Sequence, residues 1–248
     1  MTQRVRFLIC GAQKSGTTAL DAYLRRHPEL IFPGAKESHY FDRETIDWFG
    51  PREVREDRYH NMFDKAKTGL WGETTPVYLY WRASAERIWR YNPKMRLIAV
   101  LRNPITRAYS HWNMEIQRGR EKADFATAIM NEQSRCAETY PLQHRVFSYI
   151  DRGFYTKQLY NLWSWFEKEL VLVLRQDDLL NHPDECLERC YQHLKIQQIP
   201  FSEPLKRHSR SYDKPMPEVA LNLLRDIYRS EIRCLERLLG WDCDDWLS

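Results

Sequence analysis

No stretch of this 248-residue chain approaches the ~18 consecutive apolar residues that a membrane-spanning helix needs. There are six cysteines, but no pair has the Cys-x-x-Cys spacing of a zinc or dithiol site. Internal repeats and low-complexity tracts are missing as well, which excludes solenoids and biased linkers. One-sided charge is also scarce. A formal net charge of +4 does not by itself point to nucleic acid, and it fits either plain solubility or an anionic ligand. The segment Met1–Phe7 runs straight into an apolar strand with no secretory leader pattern. The expectation is therefore a cytoplasmic protein with reduced thiols and no transmembrane segment.

What is present is ordinary hydrophobic content, plentiful aromatics (9 Trp and 14 Tyr) and enough length for one large α/β domain. Phe7–Cys10, Leu97–Leu101 and Leu170–Leu174 are short apolar runs without alternation, as buried parallel strands require. Leu30–Phe32 reads as a further short strand. Helical segments lie between these runs. One carries Ala19, Leu20, Tyr23 and Leu24 on one face and ends near His27-Pro28. Another opens at Asn103-Pro104 and runs to about Arg118. Others are expected at Tyr155–Phe166, Pro183–Leu194 and about 218–239, the last closed by Gly240. Strands alternating with helices predict a P-loop-like α/β domain, a central parallel sheet covered on both faces, spanning residues 1–248 with no internal boundary. Pro200–Pro217, rich in Pro, Ser, Arg and Lys, reads as a loop.

Two segments carry chemistry. Residues 11–18, Gly-Ala-Gln-Lys-Ser-Gly-Thr-Thr, join the first strand to the first helix. Backbone N–H groups, a helix N-terminus, Lys14 and the hydroxyls of Ser15, Thr17 and Thr18 would converge there on a phosphate-like anion. The arrangement nearly matches the kinase phosphate loop, but Lys14 precedes Gly16 instead of following it. In the second segment, Arg102 ends the Leu97–Leu101 strand and Ser110 lies eight residues on, a fork and a hydroxyl able to hold a terminal phosphate. That strand ends in arginine where a magnesium site wants aspartate, so no metal site is expected.

Together these segments resemble the PAPS-dependent sulfotransferases, whose donor is 3′-phosphoadenylyl sulfate. Lys36-Glu-Ser-His-Tyr-Phe-Asp42 is similar to the Lys-Glu-x-His-Phe-Phe segment of the branch that includes heparan sulfate sulfotransferases. Glu73-Thr-Thr-Pro-Val-Tyr78 resembles that branch's Glu-Lys-Thr-Pro-x-Tyr. Arg152-Gly-Phe-Tyr155 resembles its Gly-x-Tyr, and the ending Leu-Leu-Gly-Trp-Asp-Cys-Asp-Asp-Trp246 resembles bacterial members.

The resemblance implies in-line sulfuryl transfer from PAPS to a hydroxyl or amine of a small-molecule, lipid or glycan acceptor. It implies that Lys14, Ser15, Gly16, Thr17 and Thr18 hold the 5′-phosphosulfate, with Lys14 stabilising the leaving phosphate. It implies that Arg102 and Ser110 hold the 3′-phosphate and that Glu37 is the general base; His39, between Ser38 and Tyr40, is the competing base, or equally orients Glu37 or packs in the wall. The chain departs from the pattern at Thr74, where a lysine is expected, and in Lys206–Lys214, which is basic but lacks the usual glycine. Arg210 is the candidate contact in that loop. The aromatics Tyr40, Phe41, Trp48, Trp71, Tyr78, Tyr80, Trp81 and Trp112 fall in or near segments expected around the acceptor, although core packing is the favoured reading for any one of them. Arg118, Arg120 and Lys122 read as a solvated helix end. Two other functions fit the loop alone: a P-loop kinase for a small molecule, and a non-catalytic module that binds an anionic ligand.

Overall fold

The structure, a computed structural model, describes residues 3–201, 203 and 215–247. The chain divides into two compact units, residues 1–101 with 161–206 and residues 102–160 with 207–248. The sequence shows no composition shift at these boundaries.

The first unit holds a five-stranded, all-parallel sheet. Its strands are β1 (Val5–Gly11), β2 (Leu30–Ile31), β3 (Leu70–Thr74), β4 (Arg96–Leu101) and β5 (Val171–Arg175), in the order β2-β3-β1-β4-β5. The predicted parallel sheet flanked by helices is therefore present. β3 was not anticipated. Leu70-Trp-Gly-Glu-Thr74 has a glycine and a buried acid where a strand signal needs apolar residues. Gly72 is required there because a Cβ would come within 2.1 Å of the Phe7 ring. Register pairs Phe7 with Gly72 on one side and with Arg96 on the other.

The unit's helices include α1 (Thr17–Leu24), α2 (Arg52–His60), α3 (Arg82–Tyr91), α8 (Gln176–Asn181) and α9 (Pro183–Leu194). α1 and α9 bury Leu20, Tyr23, Leu24, Leu187, Cys190 and Leu194 against Phe7, Ile9, Ile98 and Val100. Complete burial of one such side chain contributes about 1.5–3 kcal/mol. Leu8, Cys10, Leu97 and Ala99 alternate to the opposite face and are also fully buried, so both faces of the sheet are covered. No disulfide joins any of the six cysteines.

The second unit holds α4 (Pro104–Gln117), α5 (Phe125–Met130), α6 (Glu132–Ala137) and α10 (Glu218–Leu239), while α7 (Tyr155–Trp163) runs across the boundary in sequence. α7 stops three residues short of the expected Phe166. The cap at α4 follows the expectation: Asn103 Oδ1 accepts the Ile105 N–H at 2.9 Å and Pro104 opens the helix. α10 buries Ala220, Leu224, Tyr228, Ile232 and Leu235, spaced as a helix stripe demands, and stops at Gly240 in the left-handed region.

Candidate active site

In the first unit, β1 runs into a turn that enters α1 with unusual polarity. Lys14 has φ 70° and Gly16 has φ 90°, a left-handed pair that curls the backbone around a concavity. Gly16 is the N-cap, no side chain caps the helix, and no acid lies in its first turn. The first N–H groups of any helix lack intrahelical acceptors, so this end carries positive potential that neither a side-chain cap nor a first-turn acid offsets. Ser15 adds a second signal. It is fully buried, and its Oγ has no hydrogen-bond partner among the described residues. Such a hydroxyl costs about 1–3 kcal/mol unless something supplies a partner. The donor set and the orphaned hydroxyl fit an anionic phosphate or sulfate group.

Also in the first unit, Lys36–Asp42 forms a second polar loop. Glu37 (φ 61°) and His39 (φ 51°) are both left-handed, a conformation that costs non-glycine residues of order 1 kcal/mol or more each. His39 Nδ1 lies 3.1 Å from Oδ2 of the fully buried Asp42, and His39 Nε2 lies 3.3 Å from Glu37 Oε2. The hydrogen bond to Asp42, with that to Glu37 behind it, raises the imidazole to about 9, so His39 is a cation at neutral pH that donates to both acids.

What holds the strained loop in place is Glu73 at the end of β3. It is fully buried and accepts from Ser38 Oγ at 2.8 Å, Tyr78 OH at 2.8 Å, Tyr59 OH at 3.1 Å and Thr75 Oγ1 at 2.7 Å. Burial pushes this carboxyl up, and the four hydroxyl donors oppose that shift. Ser38 stands between the two strained residues, and the Tyr78 hydroxyl also accepts the Tyr40 N–H at 2.9 Å. Neither Asp42 nor Glu73 was assigned a role from the sequence. Asp42, three residues after His39, is the signal that spacing alone offered.

Thr74, where the resemblance expects lysine, is buried and donates to Asp21 Oδ1 at 2.6 Å. Tyr40, Phe41, Trp71, Tyr78, Tyr80 and Trp81 are buried side chains of the first unit. Tyr40 stacks on Tyr59 at 4.2 Å, and Trp48 lies beneath the Arg87 guanidinium at 4.8 Å.

The second unit holds Arg102 and Ser110. Arg102 Nε donates to Thr106 Oγ1 at 2.9 Å, and its carbonyl accepts from Tyr155 OH at 2.8 Å. Ser110 is buried on α4. Trp112 is half-buried and donates to the Ala123 carbonyl at 3.0 Å. Arg118 closes α4 and reaches Glu115 at 3.2 Å, as a helix-end basic residue should. Arg210 lies outside the described residues.

A family model described as the sulfotransferase domain matches residues 4–217. The chain belongs to the sulfotransferase family. Among its relatives, human carbohydrate sulfotransferase 15 is 25% identical over 97% of this chain and 54% of its own length. Human heparan sulfate glucosamine 3-O-sulfotransferase 3B1 is 28% identical over 77% of this chain and 46% of its own. The chain thus spans about half the length of these curated relatives. A sulfotransferase structure from Alicyclobacillus acidocaldarius superposes with a TM-score of 0.84 at 25% identity, covering all of both chains. No helix among the described residues is long and apolar enough to cross a membrane.

Proposed function

We propose that this sulfotransferase-family chain moves a sulfuryl group from PAPS to a hydroxyl or amine of an acceptor. The single observation that carries the reading is the uncapped, acid-free start of α1 beside the orphaned hydroxyl of Ser15. Family membership supports PAPS as the donor. Lys14, Ser15, Gly16, Thr17 and Thr18 would hold its 5′ end, and Arg102 and Ser110 its 3′-phosphate. When bound, the donor supplies an activated sulfuryl group on a phosphate leaving group. The fold would act as a single domain over residues 1–248, in a cytoplasmic protein.

The residues divide the remaining work. Lys14 neutralises charge that develops on the leaving phosphate oxygen. Glu37 takes the acceptor proton. His39 cannot do so at neutral pH because it already carries its proton, and it instead orients Glu37 while Asp42 orients it. This supports Glu37 over His39 as the base. The relatives named as acting on carbohydrate favour a glycan acceptor, whereas Thr74 in place of lysine counts against a sulfated polysaccharide.

Calorimetric titration with adenosine 3′,5′-bisphosphate and, separately, ATP–Mg tests the reading. Tight binding of the bisphosphate alone is expected. Preference for ATP–Mg would replace the reading with a small-molecule kinase, and binding of neither would leave a non-catalytic module.

A further inference from the structure

We infer that Lys36 is a second cation of the 5′-phosphosulfate site, reaching it from outside the Gly11–Thr18 loop; this rests on the PAPS reading above. Lys36 Nζ donates to Thr18 Oγ1 at 2.8 Å, so the ammonium stands against the first turn of α1. That is an unfavourable place for a cation. The helix start is itself positive, and lysines are favoured at the opposite end.

Two acids answer the charge only in part. Asp21 and Glu37 act on Lys36 electrostatically, yet each is committed elsewhere. Asp21 accepts from Arg25 Nε at 2.7 Å and from Thr74 Oγ1 at 2.6 Å, and Glu37 accepts from His39. Among the described residues the ammonium's hydrogen bond goes to a neutral hydroxyl. Burial pulls Lys36 below its ordinary range against the opposing charges of Asp21 and Glu37, with a smaller contribution from Arg25, which marks a half-desolvated cation. Ser15, orphaned and buried in the same loop, independently signals a ligand there.

An anion on the α1 N-terminus would satisfy the Ser15 hydroxyl, the helix start, Lys14 and Lys36 together. A three-donor ammonium suits this role because one donor can stay on Thr18 while the others turn to ligand oxygens. Lys36 also precedes the proposed base, Glu37, so the residue that binds the donor's 5′ end and the residue that takes the acceptor proton are chain neighbours.

The test compares two nucleotides that differ only at the 5′ position. Calorimetry measures adenosine 3′,5′-bisphosphate and adenosine 3′-monophosphate against wild type, Lys36→Met and Lys36→Arg. Lys36→Met should weaken the bisphosphate about tenfold, the scale of one charged hydrogen bond, and leave the monophosphate unchanged. Lys36→Arg should restore most of the loss. Equal losses for both nucleotides, or none for the bisphosphate, would overturn the role of Lys36 while leaving the PAPS reading intact. A wild type that fails to prefer the bisphosphate over the monophosphate would remove the PAPS reading itself, and this inference with it.

Discussion

The carboxylates of the second unit and those of the Lys36–Asp42 loop are handled in opposite ways. In the second unit the buried Glu121, Glu132 and Glu231 are each tied to backbone. Glu121 accepts from the N–H groups of Lys122 and Ala123 at 2.8 and 2.9 Å, from Tyr149 OH at 2.9 Å and from Arg135. Burial alone would raise it, but the Arg135 guanidinium and these donors hold it at about 2. Glu132 receives the N–H groups of Ile150 and Asp151, and Glu231 receives the Thr156 N–H at 2.7 Å. In the first unit, Glu37 is more than a third exposed, sits on strained backbone, and faces a histidine cation. Acids spent on backbone amides are structural, whereas an acid kept partly exposed on strained backbone suits the proton-accepting role proposed for Glu37.

Substitutions can break this comparison, and the largest effect is expected at Glu37. Glu37→Gln should lower transfer by about 10³-fold with bisphosphate binding nearly intact. Transfer that survives in this variant but is lost in His39→Ala would move the base to His39. Lys14→Ala should cost about 10²-fold in turnover, the scale of one oxyanion-type donor, and near-normal rates would take Lys14 out of the mechanism.

Glu73 sharpens the contrast because it is as buried as the second unit's acids yet supports the first unit's loop. Glu73→Gln puts an amide NH₂ among hydroxyl donors. It should reduce both stability and transfer, by about 2 kcal/mol and about tenfold. Loss of stability with unchanged kcat would show that the loop does not depend on it. Asp42→Asn should drop the His39 titration from about 9 toward 6.5, read by imidazole NMR, with a smaller loss of rate. An unmoved titration would contradict the Asp42–His39 contact.

The smallest effect on chemistry is expected from Glu121→Gln, which should cost about 2 kcal/mol in denaturant unfolding without changing kcat. The pH dependences should also diverge. Glu121 has a lowered folded-state value, so its contribution is present above about 4.5 and is lost as pH falls toward 2. His39 has a raised value, so its contribution is complete below 6.5 and is lost as pH rises through about 9. Acid should therefore weaken the Glu121 contacts and alkali the Lys36–Asp42 loop. Hydrogen exchange resolved by segment would show whether the two regions respond in that order.

Much of the frame was legible in the chain. The apolar runs at Phe7–Cys10 and Leu97–Leu101 lie inside β1 and β4, and Pro183–Leu194 and Glu218–Leu239 form helices with those bounds. Burial on both faces leaves an unbroken hydrophobic signature in a parallel strand, and a one-sided helix leaves a stripe. β3 stayed hidden because its identity depends on Gly72 fitting under Phe7 and on Glu73 finding four hydroxyls, and neither is a local property.

The sequence alone determined the residue types and spacing of the anion loop at 11–18, the alternation of strands and helices, and Glu37 and His39 as the two titratable candidates. Only the tertiary structure raises the His39 imidazole to about 9, because that depends on Asp42 and Glu37 flanking it. It also decided that Thr74 turns to Asp21 and that Lys36 reaches Thr18. Periodicity and composition record how each residue meets its near neighbours in the chain. Charge state and ligand geometry come from groups brought together across dozens of residues, where burial and a partner within about 3 Å outweigh any local preference.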